Sequence, residues 1–406
     1  MSAASKSRMG EYLPPPDPPG PRKWLRENLF DGWFNAILTL LSTGFVLYSV
    51  IGVGRWLLTD FDWRPITGFP TLYAVGQYPR DQLWRVAFGI SLLGFLLGLT
   101  WARTGSIMRN VAYFVGGVFG VLALLPVNHS ELTLGMRAYL FSVPITIWLG
   151  LVAGRTSLFK GRAFLGLWLL YPVLFLLVLR GFDGVEALEF VRTTAWGGLL
   201  VTFILSVGGI LLSFPIGVAL ALGRRSTLPV VKAFSTIFIE TIRGVPLITL
   251  LFMFSVILAL FLPPEARLDR LVRALMAVTF FSAAYTAENV RGGLQAVPQG
   301  QIEAAQAVGM NNFQITSLIV LPQAIRAVIP AIVGQFISLF KDTTRVVIVG
   351  INDLLGIGRS IINSDPEYVQ AQLEVYLFIA VIYWIFSYFM SLASRRLESS
   401  LGVGQH

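Results

Sequence analysis

The chain has 406 residues, of which 55% are hydrophobic and only 13% are charged, against about 25% charged in an average soluble domain. This composition excludes an ordinary soluble protein and indicates an integral membrane protein. The formal net charge of +9 does not indicate nucleic-acid binding, because the basic residues lie in short gaps between apolar segments, as in polytopic membrane proteins. The chain has no cysteine and two histidines, so we expect neither disulfides nor a metal site.

The N-terminal segment is polar and rich in proline, as in EYLPPPDPPGPRKW. It lacks the short apolar core and the small-residue cleavage site of a signal peptide. We therefore expect residues 1–30 to be a flexible cytoplasmic tail.

Ten apolar segments follow, and each is a candidate for a membrane-spanning helix of about 20 residues. They lie at about 34–58, 84–102, 109–127, 137–154, 163–180, 195–222, 230–262, 270–290, 325–345 and 373–394. None shows the alternation of a membrane strand, so the predicted fold is an all-α polytopic membrane protein. The third and fourth segments are short, which leaves eight spans as the alternative count.

The basic gaps between spans predict the orientation of the chain, because cytoplasmic loops carry an excess of lysine and arginine. Arg103, Arg155, Arg224 and Arg395 lie after the second, fourth, sixth and last spans, whereas the other gaps are more acidic. This arrangement places both termini on the cytoplasmic side, together with the gap between the eighth and ninth spans.

A polar gap with the sequence GFDGVEALEFVRT, at 181–193, separates two membrane blocks. Motifs are absent before it, whereas polar groups accumulate within the spans after it. We therefore divide the chain into an N-terminal block of extra helices at 31–193 and a second block at 194–398, which carries the 301–322 gap and the polar groups described below.

The cytoplasmic gap between the eighth and ninth spans reads QIEAAQAVGMNNFQITSLIVLP and covers 301–322. Gly309 interrupts two short apolar faces, and glycine readily takes a left-handed backbone at the end of a helix. Asn311 or Asn312 can cap the next helix. The Leu-Pro pair at 321–322 is expected to end it, because proline disfavours helix at the preceding residue. The pattern predicts a rigid, amphipathic helix–turn–helix elbow.

The residue spacing of this elbow resembles the EAA motif of permeases of binding-protein-dependent ABC importers. The signature positions are all filled, by Glu303, Ala304, Ala305, Gly309, Ile319, Leu321 and Pro322. Other stretches resemble the polar amino-acid branch of that family: WGGLLVTF at 196–203, IETIRGVPL at 239–247, AYTAENVRGG at 284–293 and SLFKDTT at 338–344. The extra N-terminal spans and YPRDQLWRV at 78–86 are similar to the longer permeases of general L-amino-acid importers.

The resemblance implies a bacterial inner-membrane permease with a five-helix type I importer core surrounded by lipid. It implies that the elbow docks on a cytosolic ABC ATPase dimer, which binds ATP and magnesium. It also implies a periplasmic amino-acid-binding protein and a second permease subunit, either a similar chain or another copy. This chain has no GxxxxGK[ST] loop, so ATP hydrolysis must occur on a separate subunit and the chain itself is not expected to be an enzyme.

Glu303 also has a simpler interpretation, in which it does no coupling. An acidic side chain in the first turn of a helix is stabilised by the helix dipole. In that case Glu303 would help to hold the elbow together.

A first polar group within the spans is the sequence ETIRGVP, which places Glu240 and Arg243 beside a glycine and a proline. The apolar segment 228–263 is too long for one straight crossing. We predict a break at 244–246, and broken helices at membrane depth normally line a cavity. The alternative is that Arg243 extends to the interface and pairs with Glu240, one turn earlier.

A second polar group lies near the cytoplasmic end of the eighth span, where Tyr285 and Glu288 share one helix face. A cavity for a free amino acid needs an acid near the ammonium group and an arginine near the carboxylate. Glu288 and Arg243 are the candidate substrate contacts, with Glu240 and Tyr285 beside them on the substrate path. The alternative for Glu288 is a structural ion pair with Arg291, one turn later.

A third polar group, Lys341 and Asp342, lies at the outer end of the ninth span. Adjacent opposite charges at such a position are typical of an interfacial anchor, and a periplasmic gate is the functional alternative. Arg345 departs from the apolar residue that the family pattern leads us to expect.

Two other functions compete with an ATP-driven amino-acid importer. A secondary, ion-coupled amino-acid transporter also uses broken helices and charges at membrane depth, but it has no use for a cytoplasmic EAA elbow. A membrane enzyme would need a catalytic constellation, and the sequence contains no nucleophile–base or metal cluster.

Overall fold

The computed structural model describes residues 20–124, 133–156, 159, 161–263 and 268–401. Over these ranges the chain is almost entirely helical, and its only strand-like pairings are two isolated bridges, Gly76 with Trp196 and Gly198 with Asp353. The predicted all-α class is therefore confirmed.

The helices are numbered in chain order. They are α1 (Pro21–Asn28), α2 (Trp33–Arg55), α3 (Arg64–Thr67), α4 (Pro70–Val75), α5 (Leu83–Thr104), α6 (Ser106–Leu124), α7 (Leu134–Gly154), α8 (Arg162–Arg180), α9 (Gly198–Arg224), α10 (Pro229–Gly244), α11 (Leu247–Phe252), α12 (Leu258–Phe261), α13 (Arg270–Ala296), α14 (Gln299–Ala307), α15 (Asn312–Gln314), α16 (Leu321–Asp342), α17 (Leu354–Ile362), α18 (Pro366–Gln370) and α19 (Gln372–Leu401). Wider π-helical turns extend α2 to Asp60, join α11 to α12 and join α15 to α16.

Within the described residues, each of the ten predicted spans coincides with a helix or with consecutive helices. Seven helical segments are long and apolar enough to cross a membrane, and they are Trp33–Asp60, Arg80–Thr104, Leu134–Gly154, Arg162–Arg180, Gly198–Arg224, Asn312–Val349 and Gln372–Arg396. A bent pair formed by α10 with α11 and α12 makes an eighth. The count of ten is not confirmed, because α6 is short and α13 carries arginine and glutamate side chains along its length.

The chain forms two compact units, residues 1–62 and 63–406. The first unit contains α1 and α2, so the last part of the expected flexible tail is a helix, while residues 1–19 lie outside the described residues. The second unit contains all the other helices. The division near residue 193 was drawn from motifs rather than from packing, and it stays a prediction.

Close packing of α13 against α9 forms the centre of the second unit. A Cβ atom added at Gly217 of α9 would lie 2.7 Å from Cβ of Thr286 on α13. A Cβ added at Gly293 of α13 would overlap the carbonyl oxygen of Ala324 on α16. Small residues let helix backbones approach closely in membranes, and these glycines hold α9, α13 and α16 together around the site described below.

The predicted break in the seventh span is confirmed. Helix α10 ends at Gly244, Val245 and Pro246 are extended, and α11 begins at Leu247. The two helical segments meet at an angle of 107°. This bend brings the end of α10, with Glu240 and Arg243, towards the charged part of α13.

Candidate functional site

Five charged side chains from three helices meet at one end of the second unit. We call them the charged cluster, and they are Arg224 at the end of α9, Glu240 and Arg243 in the last two turns of α10, and Glu288 and Arg291 in the last third of α13. The three arginines and two glutamates leave one excess positive charge.

Glu288 lies at the centre of the charged cluster. Its Oε2 atom lies 3.4 Å from Nη1 of Arg224 and 3.8 Å from Nη1 of Arg243. Its Oε1 atom accepts a hydrogen bond of 2.8 Å from Nε of Arg291. The Glu288 side chain is 23% exposed, so one carboxylate surrounded by three guanidinium groups is still accessible to a small ligand.

Arg224 connects the two acids of the cluster. Its Nη2 atom lies 2.8 Å from Oε1 of Glu240, and its Nη1 atom faces Glu288. Arg243 lies over the ring of Tyr285, with 5.6 Å from the guanidinium carbon to the ring centroid, a distance at which cation–π attraction operates. Among the described residues none accepts a hydrogen bond from the buried Nε of Arg243.

The structure thus brings together all four residues predicted for the substrate path: Glu240, Arg243, Tyr285 and Glu288. The alternative pairing of Arg243 with Glu240 is wrong, because Glu240 pairs with Arg224 and Arg243 faces Glu288. The alternative pairing of Glu288 with Arg291 is confirmed. Sequence reasoning missed Arg224, which it used only as an orientation signal, since nothing in the local sequence shows that residue 224 meets residue 288.

Partial exposure keeps the ion pairs of the cluster weak. Pairs that are this accessible to water contribute about 1 kcal/mol or less to stability. A zwitterionic ligand could therefore exchange with them at little cost, with its carboxylate on arginine and its ammonium group on glutamate. The arrangement is suited to transient binding, and it contains no group placed for covalent chemistry.

The elbow predicted at 301–322 is present, beginning with α14. The amide of Gly309 donates to the carbonyl of Gln306 over 2.9 Å, and the amide of Met310 donates to the carbonyl of Ala305 over 3.1 Å. This is a Schellman cap, which requires a left-handed residue at the helix end. Gly309 has φ +80°, so the predicted turn is confirmed and a side chain at this position would be strained.

The next helix begins at Asn311, which resolves the choice between the two asparagines. The Asn311 side chain accepts from the amide of Gln314, and the Gln314 side chain accepts from the amide of Asn311, both over 2.9 Å. This reciprocal capping box satisfies two amides that would otherwise lack partners. The two caps, separated by one residue, make the turn rigid.

The expectation that Leu321 and Pro322 end this helix is wrong. The chain stays helical from α15 through the π-helical turn Ile315–Val320 into α16, where Pro322 lies in the first turn. Proline is tolerated there because it needs no amide donor, and the wider turn before it relieves contact with the preceding carbonyl. The elbow is therefore continuous with the span that follows it.

The EAA positions divide into buried and exposed sets. Ala305 is 4% exposed, and Ile319 and Leu321 pack against the same core, which also contains Ala287 and Val290 of α13. The exposed set is Glu303, Ala304, Gly309 and Pro322. Glu303 is the fifth residue of α14, so its interpretation as a first-turn acid is wrong.

Three large apolar side chains beside these motif positions are also exposed. Val308 is 77% exposed, Phe313 79% and Leu318 63%. Together with the exposed motif residues they form an apolar outer surface on the elbow. Its inner surface packs in the same core as Ala287 and Val290, which flank Glu288 in α13, so one packed core joins the elbow to the charged cluster.

The third predicted polar group forms a pair that the sequence had not indicated. Asp342 makes an ion pair with Arg345, the residue that departs from the family pattern, three positions later. Lys341 is exposed. The anchor and gate interpretations of Lys341 and Asp342 both stay predictions.

A buried polar network lies at the other end of α9 from the charged cluster, and sequence reasoning missed it. The hydroxyl of Tyr383 donates to Oδ2 of Asp353 over 3.1 Å, and Asp353 Oδ1 accepts from the amide of Gly356 over 2.9 Å. The hydroxyl of Thr202 accepts from the amide of Leu354 over 3.1 Å. Burial raises the pKa of Asp353 to about 6.

The described residues contain no group of three or more acidic, histidine or cysteine side chains that could hold a metal ion. The charged cluster and the elbow are therefore the two places where the predicted functional residues concentrate.

Residues 213–403 match the family described as "Binding-protein-dependent transport system inner membrane component". The chain is 35% identical over 397 residues to the inner membrane amino-acid ABC transporter permease protein YhdY of Escherichia coli K12, covering 94% of this chain and 93% of that protein. It is 34% identical over 452 residues to the glutamate/glutamine/aspartate/asparagine transport system permease protein BztC of Rhodobacter capsulatus, covering 99% of each.

A shorter relative covers only part of the chain. The probable glutamine ABC transporter permease protein GlnP of Bacillus subtilis is 36% identical over 205 residues, which is 50% of this chain and 91% of that protein. The two longer relatives align over nearly the whole chain, including the N-terminal helices. The family supports ATP-driven import, rather than the ion-coupled alternative. This chain belongs to the binding-protein-dependent transport system inner membrane components and is one of their amino-acid ABC transporter permeases.

Proposed function

We propose that this permease guides free amino acids past the charged cluster and is driven by ATP hydrolysed on a separate cytosolic ATPase dimer. The observation that carries this proposal is the composition of the cluster: two carboxylates and three guanidinium groups at the bend between α10 and α11, all partly accessible. A free amino acid carries one group of each sign, so its carboxylate can pair with a guanidinium group and its ammonium group with a carboxylate.

Each residue of the proposed path has a distinct role. Arg243 would bind the substrate carboxylate, because its side chain is 33% exposed and its Nη1 atom lies 3.8 Å from Glu288, the proposed ammonium contact. Glu288 would bind the ammonium group. Arg224 and Glu240 would pair with the cluster side chains whose ionic partners the substrate displaces. Tyr285 would hold the Arg243 guanidinium in place.

The elbow is the proposed contact with the ATPase. Its outer surface offers exposed apolar side chains next to Glu303 and Gly309, as a docking element for a soluble partner requires. Its inner surface, including Ala305, Ile319 and Leu321, would transmit movement to α13. ATP and magnesium would be held by the ATPase, so this subunit needs no nucleotide site.

The remaining partners follow from the same proposal. A periplasmic binding protein would deliver the amino acid, and a second permease subunit, either a similar chain or another copy, would complete the path. The chain would lie in the bacterial inner membrane with both termini in the cytoplasm, the side that the basic gaps indicate. The relative BztC is described as carrying glutamate, glutamine, aspartate and asparagine, and we propose amino acids of this class as the first to test.

The test of the proposed path is Glu288→Gln, measured as uptake of a panel of amino acids into vesicles. Removing the central carboxylate is expected to lower uptake about tenfold, the effect of losing about 1.4 kcal/mol of binding, and by different factors for different substrates. Glu367→Gln is the matched control, because Glu367 is exposed and pairs only with Arg64 among the ion pairs of the described residues. Unchanged uptake across the panel would remove Glu288 from the path.

A further inference from the structure

Helix α1 separates its side chains cleanly into two faces. Successive residues of a helix are about 100° apart, which places Arg22, Lys23 and Arg26 on one side of Pro21–Asn28. Trp24 and Leu25 lie on the opposite side, and they are 48% and 44% exposed. No residue of α1 is buried. A helix this short and this exposed cannot bury its apolar face within its own unit.

The position of α1 is set by its link to the membrane span α2. The carbonyl of Leu29, directly after α1, accepts a hydrogen bond of 2.7 Å from the hydroxyl of Thr39 in α2. Gly32, with φ +91°, turns the chain between the two helices. Because α2 is a candidate span that starts at Trp33, α1 is held next to the N-terminal end of that span.

A hollow lies where α1 meets the start of α2. It encloses about 510 Å³ and is lined by Lys23, Arg26, Glu27, Phe30, Asp31 and Gly32. Lys23 forms an ion pair with Glu27 at 3.8 Å, which partly neutralises its charge. Arg26 is therefore the stronger of the two basic residues for binding an anion. Glu27 and Asp31 balance Lys23 and Arg26 within the hollow, so the hollow itself carries no net charge. The excess positive charge belongs to α1 as a whole, where Arg22, Lys23 and Arg26 outnumber Glu27.

We propose that α1 is an interfacial helix that binds an anionic lipid surface. Trp24 and Leu25 enter the boundary of the acyl chains, where tryptophan is favoured, while Arg22, Lys23 and Arg26 contact lipid phosphates. Short amphipathic helices with basic polar faces bind membranes in this way, and anionic surfaces attract basic residues next to a span. Neither the charged cluster nor the elbow contributes to this site.

The first test uses the absence of cysteine from the chain. Leu25→Cys and Lys23→Cys are each labelled with a nitroxide in the full-length protein, which is reconstituted alone into vesicles containing phosphatidylglycerol. Collision with oxygen, which concentrates in lipid, is compared with collision with a water-soluble nickel complex. The label at Leu25 is expected to favour oxygen and the label at Lys23 to favour nickel, so each variant is the control for the other.

The second test removes the charge. Substituting Arg22, Lys23 and Arg26 by glutamine in the Leu25→Cys chain should bring its label into water, since each basic residue near an anionic surface contributes about a fivefold change in partition. In vesicles of phosphatidylcholine alone, the Leu25→Cys chain with its three basic residues intact should also have its label in water. The proposal is overturned if the Leu25 label favours nickel in anionic vesicles, or if it is shielded only after an ATPase subunit is added.

Discussion

Arg224 is the residue that changes the interpretation of the charged cluster most. It lies between Glu240 and Glu288 and contacts both, so the two acids do not act as separate sites. Without it, Glu240 would have no ionic partner among the pairs found in the described ranges, and the three helices would be joined at this end by fewer charges.

We expect Arg224→Gln to impair transport while changing stability little. The free energy of unfolding should fall by about 1 kcal/mol or less, because the pairs are partly exposed. Uptake should fall about tenfold if the cluster binds substrate with about 1.4 kcal/mol contributed by this residue. The measurement is the KM and maximal rate of amino-acid uptake in vesicles, with unfolding followed in detergent.

Arg225→Gln is the control for this prediction, since Arg225 is adjacent but donates to the carbonyl of Leu294 over 3.3 Å instead of joining the cluster. Equal losses of uptake in the two variants would mean that positive charge at the end of α9, rather than contact with the two acids, is what matters.

At the scale of elements, the elbow depends on one left-handed residue. Gly309→Val should strain the turn by about 1–2 kcal/mol, because L-residues with a branched Cβ disfavour positive φ. We expect the protein to insert normally but to show ATP hydrolysis that is no longer coupled to uptake. The measurement is the ratio of amino acid transported to ATP hydrolysed in reconstituted vesicles.

A matched glycine lies in the same element. Gly300 of α14 has no positive φ, and an added Cβ would meet nothing within 4 Å. Gly300→Ala should therefore leave coupling unchanged and strengthen the helix slightly. The elbow account would be wrong if Gly309→Val kept a normal coupling ratio.

The network at the start of α17 predicts a pH dependence of stability. Burial raises the pKa of Asp353 from 3.8 to about 6, so the folded state binds this proton more tightly than the unfolded state does. Stability from this group is present below about pH 4 and is lost as the pH rises through 6. At about 1.4 kcal/mol per pKa unit, the total is about 3 kcal/mol.

Only part of this stabilisation by Asp353 changes within a pH range that can be used for the measurement. Between pH 7.5 and 5.5 the wild-type protein should gain about 1 kcal/mol relative to Asp353→Asn, which keeps an acceptor for the amide of Gly356 but cannot ionise. The measurement is unfolding of both proteins in detergent at the two pH values. A constant difference between them would show that the Asp353 carboxyl does not titrate with the raised pKa.

For the whole molecule, the features that could be predicted from sequence are those encoded locally. The break after Gly244, the left-handed Gly309 and the Asn311 cap each depend on a few adjacent residues, and each was found where expected. The apolar segments were also found as helices, because their length and composition decide them.

The features that could not be predicted depend on packing between distant segments. Arg224 meets Glu288 across 64 positions, and the amide of Leu354 meets Thr202 across 152. Hydropathy contains no information on such pairs. The prediction that the elbow helix ends at Leu321 and Pro322 was wrong for a different reason. Pro322 is accommodated by the wider π-helical turn that precedes it, so the helix continues.

The central claim for the whole molecule is that transport is driven by ATP on another subunit and reaches the charged cluster through the elbow. The most direct measurement purifies the complex gently, identifies the chains that accompany this permease, and assays its amino-acid uptake in vesicles with ATP or with an ion gradient. We predict an accompanying P-loop ATPase and uptake that requires ATP. Uptake that persists without ATP and stops when the ion gradient is dissipated would contradict the account.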